Sequence, residues 1–156
     1  LMMQIPSITV PIIDGAKTYA INLFELLKGK KVIIFGVPGA FTPTCSEQHL
    51  PGFLKLSDQI KNKEIDDIFC FSVNDKFVMQ SWLSSYLNGD KIKGIADGNA
   101  EVSSHLSLTS DKSVNFMGLR CVRFAMIVKD NIIEEIFIEK PGILDVSSAE
   151  NILSKL

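Results

Sequence analysis

Long apolar runs alternate with amphipathic segments along the chain. Val32-Ile33-Ile34-Phe35 is uninterrupted, a pattern typical of a central strand that is covered on both faces. Apolar runs at 65–73, 93–96 and 123–128 predict further strands of the same sheet. The segments between these runs carry apolar residues at helical spacing. This alternation of strand and helix predicts an α/β fold with a partly parallel sheet and right-handed crossovers.

The N-terminal residues form a weaker pattern of their own. Ile5 to Val10 alternates apolar and polar residues between two prolines, which is typical of a short edge strand. Asp14-Gly15 is a turn signal, and Tyr19 to Leu23 fits the second arm of a hairpin. We therefore expect an N-terminal β-hairpin that covers one edge of the main sheet.

The C-terminal third predicts an antiparallel pair of strands and a final helix. The segment 108–119 is polar and predicts an irregular connection. Asp130-Asn131 fits a two-residue turn into a strand at 132–138, so the last two strands should pair antiparallel. Ser147 is followed three residues later by Glu150, which predicts a capped helix start.

The stretch 36–47 ends the central strand and begins a helix. Glycine and proline break the strand pattern there. Either Thr42 is the N-cap, with proline at the next position, or Thr44 is the N-cap with Glu47 closing a capping box. Both alternatives place Cys45 in the first helical turn, where unpaired N–H groups and the positive end of the helix favour an anion. The pattern therefore predicts a nucleophilic thiolate.

A free cysteine is often only a small buried residue. Cys45, however, lies among threonine, proline and serine at a strand-to-helix junction, where ligand chemistry concentrates in α/β folds. A dithiol enzyme carries a Cys-x-x-Cys motif, and here Thr42 occupies the position of the cysteine that would pair with Cys45. A hydroxyl at that position can donate to one substrate oxygen and accept from another. The loop therefore suits a substrate with two oxygens.

The helix after Cys45 should be distorted. Leu50, Phe53 and Ile60 form an apolar helical stripe. Pro51 lies within that stripe, where it cannot donate a backbone hydrogen bond and crowds the preceding turn. We expect a kink at Pro51, and we hypothesise that the turn containing Cys45 unwinds more easily than the rest of the helix.

The motif Pro38-x-x-x-Thr42-x-x-Cys45 resembles the active-site signature of the peroxiredoxins. Its surroundings, 38–46, are similar to the type II, or Prx5-like, branch of that family. The likeness spans nearly the whole chain, continuing at 49–53, 70–75, 96–98 and 123–125. It implies a thioredoxin-like fold, with a central mixed β-sheet flanked by helices and the N-terminal β-hairpin as an extension.

The resemblance also implies roles for individual residues. Cys45 would attack a hydroperoxide and become a sulfenic acid, with no metal or organic cofactor. Spacing alone would make Arg123 a surface arginine or the partner of a carboxylate, but the family places an arginine there to hold the thiolate and the peroxide. The catalytic set is then Cys45, Thr42, Arg123 and Pro38, and the substrate-binding set is Thr44, Gly39 and His49.

The route that reduces the sulfenic acid is less determined. Animal-type relatives carry a resolving cysteine before the last helix, whereas 144–147 has none. Cys70 matches the second cysteine of plant-type relatives, but a buried thiol within a strand is better interpreted as a core residue. Cys121 lies two residues before Arg123 and so on the same strand face, which makes it a second candidate for the resolving cysteine, with core packing as the alternative. We predict a one-cysteine cycle recycled by glutathione and glutaredoxin. The alternatives are a two-cysteine cycle of Cys45 and Cys70 with thioredoxin, and a redox sensor or holdase with little turnover.

Composition sets the remaining bounds. The 156 residues, 46% of them hydrophobic, suit a single domain spanning 1–156. A formal charge of −2 argues against a nucleic-acid partner, and no apolar run approaches the roughly 18 residues of a membrane span. Three widely spaced cysteines favour a reducing interior. We expect the cytoplasm, or a plastid or mitochondrion if a targeting segment was removed, and the resemblance implies a homodimer.

Overall fold

The computed structural model describes residues 3–156, so the first two residues of the expected domain lie outside it. Nine strands and five α-helices occur within the described residues. The strands are β1 (Thr9–Asp14), β2 (Lys17–Asn22), β3 (Lys31–Val37), β4 (Asp67–Ser72), β5 (Lys93–Ala96), β6 (Thr109–Asp111), β7 (Leu119–Cys121), β8 (Phe124–Lys129) and β9 (Ile132–Ile138). The helices are α1 (Leu23–Leu27), α2 (Leu50–Lys61), α3 (Lys76–Ser84), α4 (Glu101–His105) and α5 (Ala149–Lys155).

Seven strands form one mixed sheet in the order β2-β1-β5-β4-β3-β8-β9. β3, β4 and β5 are parallel neighbours, whereas β8 pairs antiparallel with β3 and β1 pairs antiparallel with β5. Buried apolar clusters lie on both faces of this sheet, and β3 contributes to each of them. The expected α/β architecture, a central mixed sheet flanked by helices, is confirmed. No helix within residues 3–156 is both long and apolar enough to cross a bilayer.

The N-terminal hairpin extends the sheet as expected, but its first strand begins later than predicted. The prediction placed it at Ile5 to Val10, and the structure places it at Thr9–Asp14. Pro11 was taken as a strand end and instead lies inside β1. β1 pairs with β5 only at Ile12 and Ile13, so the proline, which has no N–H to donate, lies beyond that pairing.

The C-terminal predictions hold in part. Asp130 and Asn131 have φ values of 47° and 66°, which fit the tight turn that joins β8 to β9. The segment predicted as irregular instead carries the short ribbon of β6 and β7. The cap of α5 is Ser148, whose side chain accepts from the Asn151 amide, rather than Ser147.

The middle of the sheet is packed so closely that β3 needs a glycine. Gly36 lies opposite Phe124 in the β3–β8 register. A Cβ built at Gly36 would lie 2.0 Å from the Phe124 ring. Only a residue without a side chain therefore lets the ring cover the end of β3 from which the loop to Cys45 departs.

Gly36→Ala is expected to lower the free energy of unfolding by about 1 to 3 kcal/mol, because the added methyl group overpacks the buried Phe124 ring. Gly52→Ala is the matched control. Its Cβ would make an ordinary contact at 3.8 Å with Ala149 inside α2, and alanine is the better helix former. Urea unfolding should show destabilisation for the first change and none for the second. Equal stabilities of the two variants would contradict this account.

Candidate functional site

The helix that follows β3 begins at Pro43. The Ser46 amide donates to the Thr42 carbonyl oxygen at 2.9 Å, so Thr42 occupies the N-cap position. The Thr42 hydroxyl donates to the Gly39 carbonyl oxygen at 2.7 Å, whereas the Thr44 side chain makes no capping bond. The first of the two predicted helix starts is therefore correct.

The turn that contains Cys45 is wider than an α-helix. Cys45–His49 forms a π-helical turn, in which the Leu50 amide donates to the Cys45 carbonyl oxygen. π-turns inside helices are rare and frequent at functional sites. The helix is therefore distorted as expected, by a widened turn that ends two residues before Pro51, and the kink at Pro51 itself stays a prediction.

Ser46 is anchored from outside the helix. Its carbonyl oxygen accepts from the Tyr86 hydroxyl at 2.5 Å, and its own hydroxyl accepts from Trp82 Nε1 at 3.0 Å. Pro51 has no N–H, so Ser46 O cannot be bonded from that position five residues on. Trp82 is buried, so the indole that makes this bond is also part of the core. The hypothesis of easy unwinding stays a prediction, and these two anchors oppose it.

The Cys45 sulfur faces a cation. Arg123 donates from Nη2 to Cys45 Sγ at 3.0 Å. Cys45 is fully buried and Arg123 is half-buried. Arg123 was predicted to be the first residue of a strand, but it lies in the short connection between β7 and β8, one residue before β8 begins. A guanidinium beside a thiol favours the thiolate and stabilises negative charge that develops on a bound oxygen.

His49 holds the other side of the same guanidinium. Arg123 Nη1 lies 2.8 Å from His49 Nδ1, and His49 Nε2 lies 2.9 Å from the Ser147 carbonyl oxygen. A guanidinium can only donate, so Nδ1 accepts and the ring proton is on Nε2. Burial and the Arg123 charge lower the pKa of His49 to about 3. The imidazole is therefore neutral in the physiological range and orients the guanidinium.

The chain of contacts continues to the surface through Ser147 and Glu139. The Glu139 carboxylate accepts from the Ser147 amide and hydroxyl at 2.9 and 2.8 Å and from the Asp145 amide. Partial burial raises the pKa of Glu139, but these hydrogen bonds outweigh it and leave the pKa below its usual value. The Glu139 amide donates to the Arg123 carbonyl oxygen at 3.0 Å, so one loop supports both Arg123 and His49.

The loop before Cys45 is supported from β4. Asn74 Oδ1 accepts from the Ala40 amide at 3.0 Å and from the Ser72 hydroxyl at 2.5 Å. Phe41 has φ 64° and is 57% exposed, a left-handed conformation that needs such support. Sequence reasoning missed Asn74, Ser72, Ser147 and Glu139. The signal for the first two was a pair of polar residues at the carboxyl end of a buried parallel strand.

The remaining predicted site residues lie around the same opening. Pro38, Thr44 and Arg123 line two adjoining cavities of about 220 and 230 Å³. Gly39 is close-packed, since a Cβ there would lie 3.1 Å from Arg120 Nη1. Arg120 donates to the Met117 carbonyl oxygen, and its Nη1 reaches the Pro38 carbonyl oxygen at 3.4 Å. Of the two arginines, Arg123 is therefore the one that bonds the sulfur.

The other two cysteines lie in the core. Cys70, in β4, is fully buried, and burial raises the pKa of its thiol well above the usual value. Cys121 is also fully buried; its pKa is raised to about 12 by burial, and its thiol donates to the Val37 carbonyl oxygen at 3.2 Å. Cys121 ends β7, and β8 begins only at Phe124, so the prediction that it shares a strand face with Arg123 is wrong. All three cysteines are free thiols.

A buried thiol in the first turn of a helix, faced by a guanidinium and three residues after an N-cap threonine, defines the class: a thiol-dependent oxidoreductase built on a mixed α/β sheet. The redoxin family model matches residues 3–153. Peroxiredoxin-2B of Arabidopsis thaliana is 44% identical over 135 residues, which cover 86% of this chain and 83% of that protein. Peroxiredoxin-2E-2, chloroplastic, of Oryza sativa subsp. japonica is 39% identical over 158 residues, covering 98% of this chain and 70% of that protein.

Solved structures agree with these relatives. Reduced Prx3 from Vibrio vulnificus in complex with H2O2 is similar with a TM-score of 0.92 and 41% identity, covering 99% of this chain and 93% of that one. Plasmodium falciparum antioxidant protein, a 1-Cys peroxiredoxin, has a TM-score of 0.89 and 36% identity, covering 97% and 94%. The chain therefore belongs to the peroxiredoxin family, has its thioredoxin-like fold and resembles the type II members. It is a thiol peroxidase, which reduces hydroperoxides at the expense of a thiol.

Proposed function

We propose that Cys45 is the peroxidatic nucleophile. Its thiolate attacks the terminal oxygen of a hydroperoxide, so that an S–O bond forms and the O–O bond breaks. The leaving oxygen takes a proton and departs as water or an alcohol, and Cys45 becomes a sulfenic acid. The single observation that carries this proposal is the 3.0 Å contact between Arg123 Nη2 and Cys45 Sγ.

The surrounding groups bind the two peroxide oxygens. Because the Thr42 proton is committed to Gly39 O, the Thr42 hydroxyl accepts from the peroxide O–H and does not donate as the sequence suggested. The amides of Thr44 and Cys45 occupy first-turn positions without helical acceptors, and they donate to the oxygens together with Arg123. Pro38 forms the cavity wall that limits access of water and excess peroxide to the sulfenic acid.

The sulfenic acid is reduced in a one-cysteine cycle. Glutathione thiolate attacks the Cys45 sulfur, the S–O bond breaks, and water leaves after protonation. Glutaredoxin then removes the glutathione from the mixed disulfide. The buried positions and raised pKa values of Cys70 and Cys121 favour this route over an internal disulfide. The similarity to a Plasmodium falciparum protein described as a 1-Cys peroxiredoxin supports it as well.

Mass spectrometry after one equivalent of hydrogen peroxide tests this cycle. We expect a gain of one oxygen, or of one glutathione when that thiol is present, because Cys70 and Cys121 are buried core thiols whose pKa values are raised. We also expect Cys70→Ser to keep its full turnover with glutathione and glutaredoxin. Loss of two hydrogens, together with turnover on thioredoxin that Cys70→Ser abolishes, would establish the two-cysteine cycle instead. Negligible turnover with either reductant would favour the sensor or holdase.

We also propose a homodimer and a single domain. Exposed apolar side chains border the site on two segments: Phe41 in the loop before Cys45, and Val114, Phe116 and Leu119 around the ribbon of β6 and β7. Exposed apolar side chains grouped at one site favour a protein contact. The family match over 3–153 supports one domain. We propose the cytoplasm or an organelle as the compartment, and the rice relative is described as chloroplastic.

A further inference from the structure

One of the two cavities at the site extends away from Cys45. Besides Pro38, Thr44 and Arg123, it is lined by Lys112 from the segment after β6 and by Lys140 from the turn after β9. Its volume is about 220 Å³, more than a hydroperoxide group alone requires. This side cleft therefore has room for a part of the ligand that does not react.

The side cleft is cationic in a protein whose formal charge is −2. Three of its lining residues are cations, and its one carboxylate, Glu139, is already bonded to the amides of Asp145 and Ser147. Within residues 3–156, neither lysine nor Arg123 lies within ion-pair distance of a carboxylate. Unpaired cations around a concave site raise the local concentration of anions and favour their binding.

Both lysines are attached to fixed backbone. The Lys112 carbonyl oxygen accepts from the Asn115 and Met117 amides at 2.9 and 3.1 Å. Lys140 directly follows Glu139, whose amide donates to the Arg123 carbonyl oxygen. The backbone therefore places the two lysines on different walls of the cleft that has Arg123 in its lining.

We propose that Lys112 and Lys140 form a carboxylate-binding subsite for the ligand that reacts at Cys45. The inference rests on the proposed function of Cys45. Two ligands share this chemistry: glutathione, which has two carboxylates and one ammonium group, and a hydroperoxide with a carboxylate at its far end. Val122, Pro141 and Ile143 provide an apolar wall for the carbon chain between the carboxylate and the reactive atom.

The test is charge reversal. The double variant Lys112→Glu, Lys140→Glu is compared with Lys63→Glu, an exposed lysine in the turn after α2, at the opposite end of the sheet. Stopped-flow kinetics follow the reduction of sulfenic Cys45 by glutathione and by uncharged 2-mercaptoethanol. Oxidation of reduced Cys45 is followed with a fatty-acid hydroperoxide and with uncharged cumene hydroperoxide, and this arm needs no reductant.

The double variant should slow the carboxylate-bearing ligand by roughly 10-fold and its uncharged counterpart far less, because reversal of partly exposed charges weakens encounter with an anion. The difference should shrink at about 1 M salt, where the screening length is near 3 Å. Selectivity in the thiol arm identifies glutathione, and selectivity in the peroxide arm identifies an anionic hydroperoxide. Equal effects on charged and uncharged ligands in both arms would overturn the subsite. Failure of the proposed function is separate, since the unaltered protein would then show no Cys45 oxidation by any peroxide.

Discussion

Cys45→Ser is expected to abolish peroxide reduction, with residual turnover at least about 10³-fold below that of the unaltered protein. A serine hydroxyl at this position is not ionised near neutral pH. Serine also has no sulfur, so the sulfenic acid intermediate on which the cycle depends cannot form. The fold should survive, because serine is close in size to cysteine and Cys45 contributes only a small part of the core. Consumption of hydrogen peroxide with glutathione and glutaredoxin is the measurement.

Cys70→Ser is the matched control for this change. Both cysteines are fully buried in the same apolar cluster, so a general effect of a buried hydroxyl would appear in both variants. Only Cys45 lies beside a guanidinium. Loss of activity confined to Cys45→Ser assigns the chemistry to that sulfur, whereas peroxide consumption that persists in Cys45→Ser would refute the proposed nucleophile.

Local sequence signals were sufficient to predict the part of the site that lies within one continuous segment, residues 32–47. The apolar run at 32–35 is stable only in the middle of a sheet. The glycines and the proline at 36–39 end that strand, so a new element must begin after them. Both helix starts that the sequence allowed, at Thr42 and at Thr44, place Cys45 in the first turn. These features depend on neighbours in sequence, and the structure confirms them.

Contacts between distant segments could not be predicted in the same way. His49 and Ser147 are far apart in sequence, and nothing near either residue indicates that an imidazole N–H will meet that carbonyl oxygen. The cap of α5 illustrates the difficulty: Ser147 fits a capping pattern, but Glu139 engages its hydroxyl and Ser148 caps the helix instead. Arg123 was selected through family resemblance, because its spacing alone favoured a surface role.

His49 gains a different interpretation from this geometry. The family resemblance placed it among the substrate-binding residues. Its Nδ1 lone pair is occupied by Arg123, its Nε2 proton is donated to Ser147, and its pKa is lowered to about 3. No lone pair remains to take a proton from the thiol, so we propose that His49 acts by positioning the guanidinium.

Arg123→Gln is expected to lower the second-order rate constant for oxidation of Cys45 by about 10²- to 10³-fold, the usual cost of removing one donor that stabilises developing charge. The guanidinium contacts the sulfur at 3.0 Å, and glutamine supplies neither its charge nor the second terminal nitrogen that bonds His49 at the same time. Stopped-flow measurement of a single oxidation by hydrogen peroxide isolates this step from recycling. A circular dichroism spectrum and thermal midpoint should accompany it, because His49 Nδ1 loses its partner in this variant.

Arg120→Gln separates the position of the charge from its mere presence. Arg120 lies three residues away and also reaches the loop before Cys45, but it bonds the carbonyl oxygens of Met117 and Pro38. The two variants therefore change net charge equally, and only one removes a hydrogen bond to the sulfur. For Arg120→Gln we expect only a small decrease in the rate constant for oxidation of Cys45, in proportion to any loss of thermal stability. Equal losses in the two variants would mean that general positive potential, not the Arg123 contact, activates Cys45; no loss in Arg123→Gln would remove the guanidinium from the mechanism.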